Sequence, residues 1–187
     1  MVQRSTVLAG ASGFHCSVAR FVLSVSIFLR LPPPAHAFIS ITSGERHSCA
    51  IDAAEDVVCW GENDVGQAPP VASSAKNFSF ASTGNHHTCA IERGGGIVCF
   101  GSDSYGQSSP PAAASLSAVQ LSLGIAHTCS VDAVGDAVCW GLNAFAQTTP
   151  PSHISTLKFS QISAGGTSRF DFLLLLKTMG TWSLLCF

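Results

Sequence analysis

HHTCAIERGGGIVCFGSDSYGQ, His86–Gln107, decides the fold because versions of it occur three times in the chain. Its cysteines, Cys89 and Cys99, lie ten residues apart, and the pair recurs 40 residues earlier as Cys49 and Cys59 and 40 later as Cys129 and Cys139. Trp60, Phe100 and Trp140 keep the same phase. So do Gly61, Gly101 and Gly141, then Gln67, Gln107 and Gln147, and also His47, His87 and His127. A proline pair follows each copy, within one residue of phase. Self-similarity at a fixed period of about 20–50 residues marks a solenoid, a propeller or an array.

Each copy reads as β structure. HTCSVD and AVCWG are short apolar runs separated by turn residues, and FISITS, FSFAS and VQLSL stand where a preceding strand belongs. The pattern predicts three short strands per unit, or four if the connecting segment forms one. Strand alternation puts His87, Cys89 and Ile91 on one face, and Thr88 and Ala90 on the other with Phe100 from across the hairpin. Neither face is polar, so each small sheet must be covered on both sides. Radial closure as a β-propeller does this, and so does solenoid stacking.

The cysteines admit three readings. A three-residue loop Ala133-Val134-Gly135 sets Gly135 at the left-handed position of a common hairpin turn, and Gly95 fits the same slot. In that register Cys129 faces Cys139, and directly opposed residues come close enough for a disulfide. Cys49 with Cys59 and Cys89 with Cys99 follow the same rule. A zinc site is the second reading, from His87, Cys89 and Cys99, although structural zinc sites usually pair cysteines two to four residues apart. A redox pair is the third, although catalytic dithiols are typically C-x-x-C.

The phrase G-x-x-H-T-C-x-[IV]-x…G-x-x-V-C-W-G-x-N-x-x-G-Q resembles the repeat of the regulator of chromosome condensation family. It is closest in kind to the short, cysteine-paired version of secreted and cell-surface proteins; a secreted beta-lactamase inhibitor protein shares the superfamily. The resemblance covers about 38–167 and implies an all-β, incomplete β-propeller of about three to four blades, each a small antiparallel sheet. It implies a structural role for His47, His87 and His127, bonding backbone near the inner end of a blade. The bare residues would also permit general bases, but no nucleophile accompanies them. Trp60, Phe100 and Trp140 are expected to pack between blades, and Gly61, Gly101 and Gly141 to permit close backbone approach. Ala146 stands where Gly66 and Gly106 fit the motif, and Glu55 where a turn glycine is expected.

Residues 1–37 read as a signal or targeting peptide. Arg20 precedes the apolar run Phe21–Leu29, and a small-x-small site ends at Ala37. A Ser-rich, acid-free leader of this length also suits an organelle transit peptide. The repeats fall at about 38–77, 78–117 and 118–157, with a partial fourth from 158. Beyond Gly165, which matches Gly124, the motif is lost in a divergent tail at 168–187. Four units cannot close a seven-blade ring, so the expectation is a fragment of a longer propeller, an oligomer or a mispredicted product. From Phe38 on, six Lys and Arg face eleven Asp and Glu, a formal charge of −5, which argues against nucleic acid as a partner. No apolar run reaches the roughly 20 residues of a membrane span. Asn77-Phe78-Ser79 is a glycosylation sequon, meaningful on the secretory path.

The functional expectation is an exported, non-enzymatic module, secreted or lumenal, that binds a protein or a surface and needs no metal or cofactor. Its candidate binding loops are GENDVGQAPP, GSDSYGQSSPP and GLNAFAQTTPP. The alternatives are a fragment of a receptor-kinase-type ectodomain and a guanine-nucleotide exchange factor-like regulator of a small GTPase. No hydrolase or P-loop motif is present.

Overall fold

The structure, a computed structural model, describes residues 38–69, 77–115, 117–149, 157–167, 170–177 and 184–186. The leader at 1–37 lies outside the described residues. The first sheet is β1 (Phe38–Ser43), β2 (His47–Asp52) and β3 (Val57–Gly61). The second is β4 (Phe78–Thr83), β5 (His87–Glu92) and β6 (Ile97–Gly101). The third is β7 (Ala118–Leu123), β8 (His127–Asp132) and β9 (Ala137–Gly141), and the fourth is β10 (Phe159–Thr167), β11 (Phe170–Lys177) and β12 (Leu184–Cys186). Each is an antiparallel meander in chain order.

The hairpin turns follow from their residues. Gly95 N–H bonds Glu92 O at 2.8 Å and Glu92 N–H bonds Gly96 O at 2.8 Å. That closes a three-residue loop with Gly95 at φ +84° and, in the third sheet, Gly135 at φ +89°. In the first and third turns an aspartate clamps the loop. Asp52 Oδ1 accepts from the N–H groups of Ala54 and Asp56, and Asp132 Oδ1 from those of Val134 and Asp136. Glu55 takes the same position at φ +64°. Its carboxylate forms a paired contact with the Arg93 guanidinium on the next sheet's turn, and this bond holds the Glu55 carboxyl below its usual range.

Each first strand carries a register irregularity at its second residue, between Phe38 and Ser40, Phe78 and Phe80, Ala118 and Gln120, and Phe159 and Gln161. A bulge bends the strand and re-aims its end. Here the re-aimed end reaches the preceding sheet's turn. Phe78 N–H bonds Glu55 O at 3.0 Å, Ala118 N–H bonds Gly95 O at 3.2 Å, and Phe159 N–H bonds Gly135 O at 2.8 Å.

The core lies between sheets, as two apolar faces per sheet require. Cys49, Ile51, Val57 and Cys59 pack on Phe78, Ala81 and Ala90. Cys89, Ile91 and Ile97 pack on Ala118, Leu121 and Trp140, while Cys129 and Val131 pack on Phe159 and Ile162. Four sheets stacked in chain order form an incomplete β-propeller.

Among its described residues, the connection between sheets two and three holds a turn and a short 3-10 turn at Ala112–Ala114 and no strand, in keeping with three strands per unit. The tail loses the motif yet keeps strands. Leu173–Leu176 of β11 pair with Ala164–Gln161 of β10.

Ala146 holds φ +62°, where Gly66 has +81° and Gly106 has +78°. A Cβ at either glycine would meet nothing within 4 Å, so the cost at Ala146 is backbone strain and not contact. Ala146→Gly should stabilise the chain by about 0.5–1 kcal/mol, the left-handed penalty less the extra entropy of an unfolded glycine. The check is an upward shift of the denaturant midpoint with the slope unchanged.

Candidate functional site

The repeat places three recurring features in each of the first three sheets: a buried histidine, a cystine in mid-strand, and a clamped loop that follows the third strand where its last residue pairs with the histidine.

Cys49 opposes Cys59, Cys89 opposes Cys99, and Cys129 opposes Cys139 in the strand register. All three pairs are disulfide-bonded, with Cα separations of 4.0–4.1 Å. Their sulfurs are joined to each other, as the disulfide reading expects, and sulfurs so bonded are not thiolate ligands for zinc.

The histidines are buried, His87 and His127 completely and His47 nearly so. His47 Nε2 lies 2.7 Å from Thr88 Oγ1, and His87 Nε2 lies 2.8 Å from Thr128 Oγ1. Each hydroxyl spends its own proton on a backbone carbonyl of the preceding sheet, Thr88 on Gln67 O and Thr128 on Gln107 O. The hydroxyl oxygen must therefore accept from the imidazole, which fixes the Nε2–H tautomer. Nδ1 of His47 and His87 is buried without a hydrogen bond. Protonation there would bury an unpaired charge. Burial first, then the neighbouring His127 and His47, push His87 down to about 3; burial likewise lowers His47. For His47 and His87 the expected bond to backbone is therefore indirect, running through the next sheet's threonine hydroxyl. A sign of the relay lies in the sequence, where Ser48, Thr88 and Thr128 recur in phase.

The histidine rings need glycine beside them. A Cβ on Gly84 would lie 2.5 Å from the His87 Cε1 and 2.5 Å from Gly124 O. Gly61, Gly101 and Gly141 hold φ of +108°, +100° and +101°, and they pass close to backbone as expected. The N–H after each glycine bonds the residue before the histidine: Glu62 to Arg46 O, Ser102 to His86 O, and Leu142 to Ala126 O.

The three loops share one construction. Asn63 Oδ1 accepts from Ala68 N–H at 2.8 Å, Asp103 Oδ1 from Ser108 N–H at 2.8 Å, and Asn143 Oδ1 from Thr148 N–H at 3.0 Å. The buried glutamine closes the loop from inside. Its Oε1 takes the N–H of Val65, Tyr105 or Phe145 at 2.8–3.0 Å. With its N–H held inward, the residue at that position points its side chain out. Val65, Tyr105 and Phe145 are 50%, 58% and 67% exposed. Sequence reading found the loops but gave no role to the Asn/Asp or Gln, although both recur every 40 residues.

Trp140 is buried between sheets and donates Nε1–H to Gln107 O at 3.0 Å, and Phe100 is half-buried. Trp60 departs from the expected packing: it lies on the outer face of the first sheet, 46% exposed, with Phe38 beside it at 6.4 Å between ring centroids. Asn77 is exposed at the entry to β4. Among the described residues no helix is long and apolar enough to cross a membrane.

The family model of the regulator of chromosome condensation (RCC1) repeat matches residues 38–67 and 79–107. No curated protein sequence matches the chain. Among solved structures it resembles the CRINKLY WD40 ectodomain of the Arabidopsis thaliana receptor kinase ACR4, at 23% identity and TM-score 0.61, over 80% of this chain and 49% of that one. The ectodomain of the Physcomitrella patens receptor kinase CR4 gives 22% and 0.61, over 82% and 42%. Yeast RCC1 (Prp20), solved with bound Kap60, gives 13% and 0.62, over 77% and 42%. The chain thus spans half or less of the length of these structures, and at such identities the likeness is one of fold. Residues 38–67 and 79–107 thus match the regulator of chromosome condensation (RCC1) repeat, and the fold they belong to is an incomplete β-propeller like that of these structures.

Proposed function

We propose that the chain is an exported, non-enzymatic repeat module that binds a protein through the loop tips Val65, Tyr105 and Phe145. One observation carries this reading: an exposed apolar side chain stands at the same position in three successive blades, on loops that are clamped rather than loose. Single exposed apolar residues are ordinary. Three held outward by the same buried glutamine form a presented row. Aromatic anchors on a preorganised frame make good binding contacts, because little loop entropy is lost on association. Asp64 and Asp103 beside the tips favour a partner with basic residues at the rim. Yeast Prp20, which shares the fold, is seen with a bound protein, Kap60.

Export is supported by the three cystines, which persist in oxidising compartments, and by the leader pattern at 1–37. On that path Asn77 becomes a glycan acceptor. The receptor-ectodomain alternative shares the fold of its plant counterparts and requires a membrane helix and kinase domain on the same polypeptide. The exchange-factor alternative has neither the cystines nor the leader in its favour.

The triple variant Val65→Ser, Tyr105→Ser, Phe145→Ser should keep the fold, since all three side chains are mostly in solvent. The test compares extracellular proteins crosslinked to the tagged chain and to the triple variant, with Gly94→Ala as the control. Partners common to the parent and the control should be lost from the triple variant, by at least about tenfold in affinity, as removing two aromatic anchors implies. Undiminished recovery by the triple variant would refute the loop reading.

A further inference from the structure

Asn77-Phe78-Ser79 is a glycosylation sequon by its residues, yet the fold engages all three of them. Asn77 O accepts from Arg93 N–H at 2.8 Å, and Phe78 N–H bonds Glu55 O at 3.0 Å. Ser79 Oγ donates to Ile91 O at 3.3 Å. Phe78, the middle residue, is 2% exposed and packs with Cys49, Ile51, Val57 and Cys59 of the first sheet. Asn77 itself is exposed. The tripeptide therefore joins two sheets: it pairs with β5 on one side and fills the first sheet's core on the other. Ala37 and Ser117 stand at the phase of Asn77 in the neighbouring copies, so the sequon belongs to the second.

We infer that Asn77 accepts a glycan only before the second sheet forms, and that pairing of β4 with β5 and seating of Phe78 close the site to the transferase. In the transfer, the Asn77 amide nitrogen forms a bond to the anomeric carbon of an oligosaccharide carried on a lipid pyrophosphate. The sugar–phosphate C–O bond breaks, the lipid pyrophosphate leaves with its electron pair, and the amide proton passes to a base of the transferase. The sequon's need for Ser or Thr means that the third-position hydroxyl is read in the same act. A tripeptide bonded to one sheet and buried in another cannot be presented in that way. This timing presupposes the export proposed above. Arg93 follows Ser79 by 93 − 79 = 14 residues, or about 1–3 s at synthesis rates of roughly 5–20 residues per second. A hairpin then closes in about 1–10 μs, and Cys89–Cys99 fastens it. Because Asn77 stays exposed in the finished blade, a glycan added in that interval is carried outside the core.

The test appends a flexible Gly-Ser tail carrying a second Asn-Phe-Ser to the C-terminus of the full chain. Purified oligosaccharyltransferase and lipid-linked oligosaccharide are then offered to two samples, one oxidised and folded, the other reduced and alkylated. Glycopeptide mass spectrometry reads both sites, and the tail site calibrates the enzyme in each sample. Relative to the tail, Asn77 should be modified readily in the reduced chain and at least about tenfold less in the folded chain, because a reaction gated by opening follows the small open population. Equal modification of Asn77 in the two samples would overturn the inference. So would an unmodified Asn77 in the reduced chain, since the sequon would then not be read at all. Both samples are made outside the secretory path, so the result is independent of export. Export is read separately, from release by cells of a chain beginning at Phe38. A chain retained inside cells that still shows the gating in the purified system would refute the export reading alone.

Discussion

Gly101→Ala should cost about 3 kcal/mol or more, near the upper end of single-residue effects. Two penalties act together. The backbone sits at φ +100°, a region that residues with a Cβ enter only under strain. The added methyl would also lie 2.4 Å from His86 O, 2.9 Å from the His87 Cα and 3.0 Å from the Gln67 Cα. All three are backbone atoms, so no rotamer change relieves the clash. Gln67 belongs to the first blade, and the methyl would push two blades apart as well as straining one. Gly94→Ala is the matched control. Nothing lies within 4 Å of a Cβ there and its φ is not positive, so its effect should stay within about 0.5 kcal/mol. Chemical denaturation of both variants at neutral pH measures the difference. Equal midpoints would show that the passage at Gly101 is looser than its geometry.

Acid should unfold the chain through the histidine relay. His87 titrates at about 3 in the fold and at about 6.5 in an unfolded chain. A histidine whose folded pKa is depressed contributes stability that is full above pH about 6.5 and is lost as pH falls toward the folded value, because the unfolded chain binds the proton first. The loss should approach 1.4 kcal/mol per pH unit for this one group, or about 2–3 kcal/mol between pH 6.5 and 4.5. His47 shifts in the same direction and adds to it. The groups facing His87 are His127, His47 and His86, which disfavour its charge, and Asp103, which weakly favours it. His87→Gln keeps a nitrogen donor near the Nε2 position for Thr128. It should lower stability at pH 7 and flatten the slope below 6.5. Denaturant midpoints across buffers from pH 7.5 to about 4.5 test this. A slope unchanged by His87→Gln would place the acid sensitivity elsewhere.

Much of the fold was legible because the chain states it three times. A period fixed by Cys49, Cys89 and Cys129 gives the blades, and a symmetric pair around Val134 gives the hairpin register that sets Cys129 against Cys139. The turn glycines follow from the same register, as does the anomaly at Glu55, whose place is taken by a residue that reaches Arg93. What escaped was information that lies between copies. The histidine's partner is one repeat away, at a position filled by serine or threonine, and hydroxyl residues are too common to attract notice. The bulge at Ile39, Ser79 and Val119 leaves no composition mark. The exposure of Trp60 is invisible to a repeat argument, because its sequence context equals that of Trp140; only the absence of a cystine face in front of it differs. The loop tips vary as Val, Tyr and Phe, and variation reads as freedom until Gln67, Gln107 and Gln147 are seen holding the backbone beneath them.

The bulge-aimed bond from each first strand to the preceding turn carbonyl always runs the same way along the chain. The imidazole bond also runs one way, from a blade's histidine to the threonine of the next. Each junction thus joins one unit to its immediate successor. Duplicating or deleting a whole 40-residue unit leaves every surviving junction of the same kind, whereas gaining or losing a few residues mid-unit disturbs two at once. Such an array can change its length by whole units during evolution while its interior goes on obeying the same grammar.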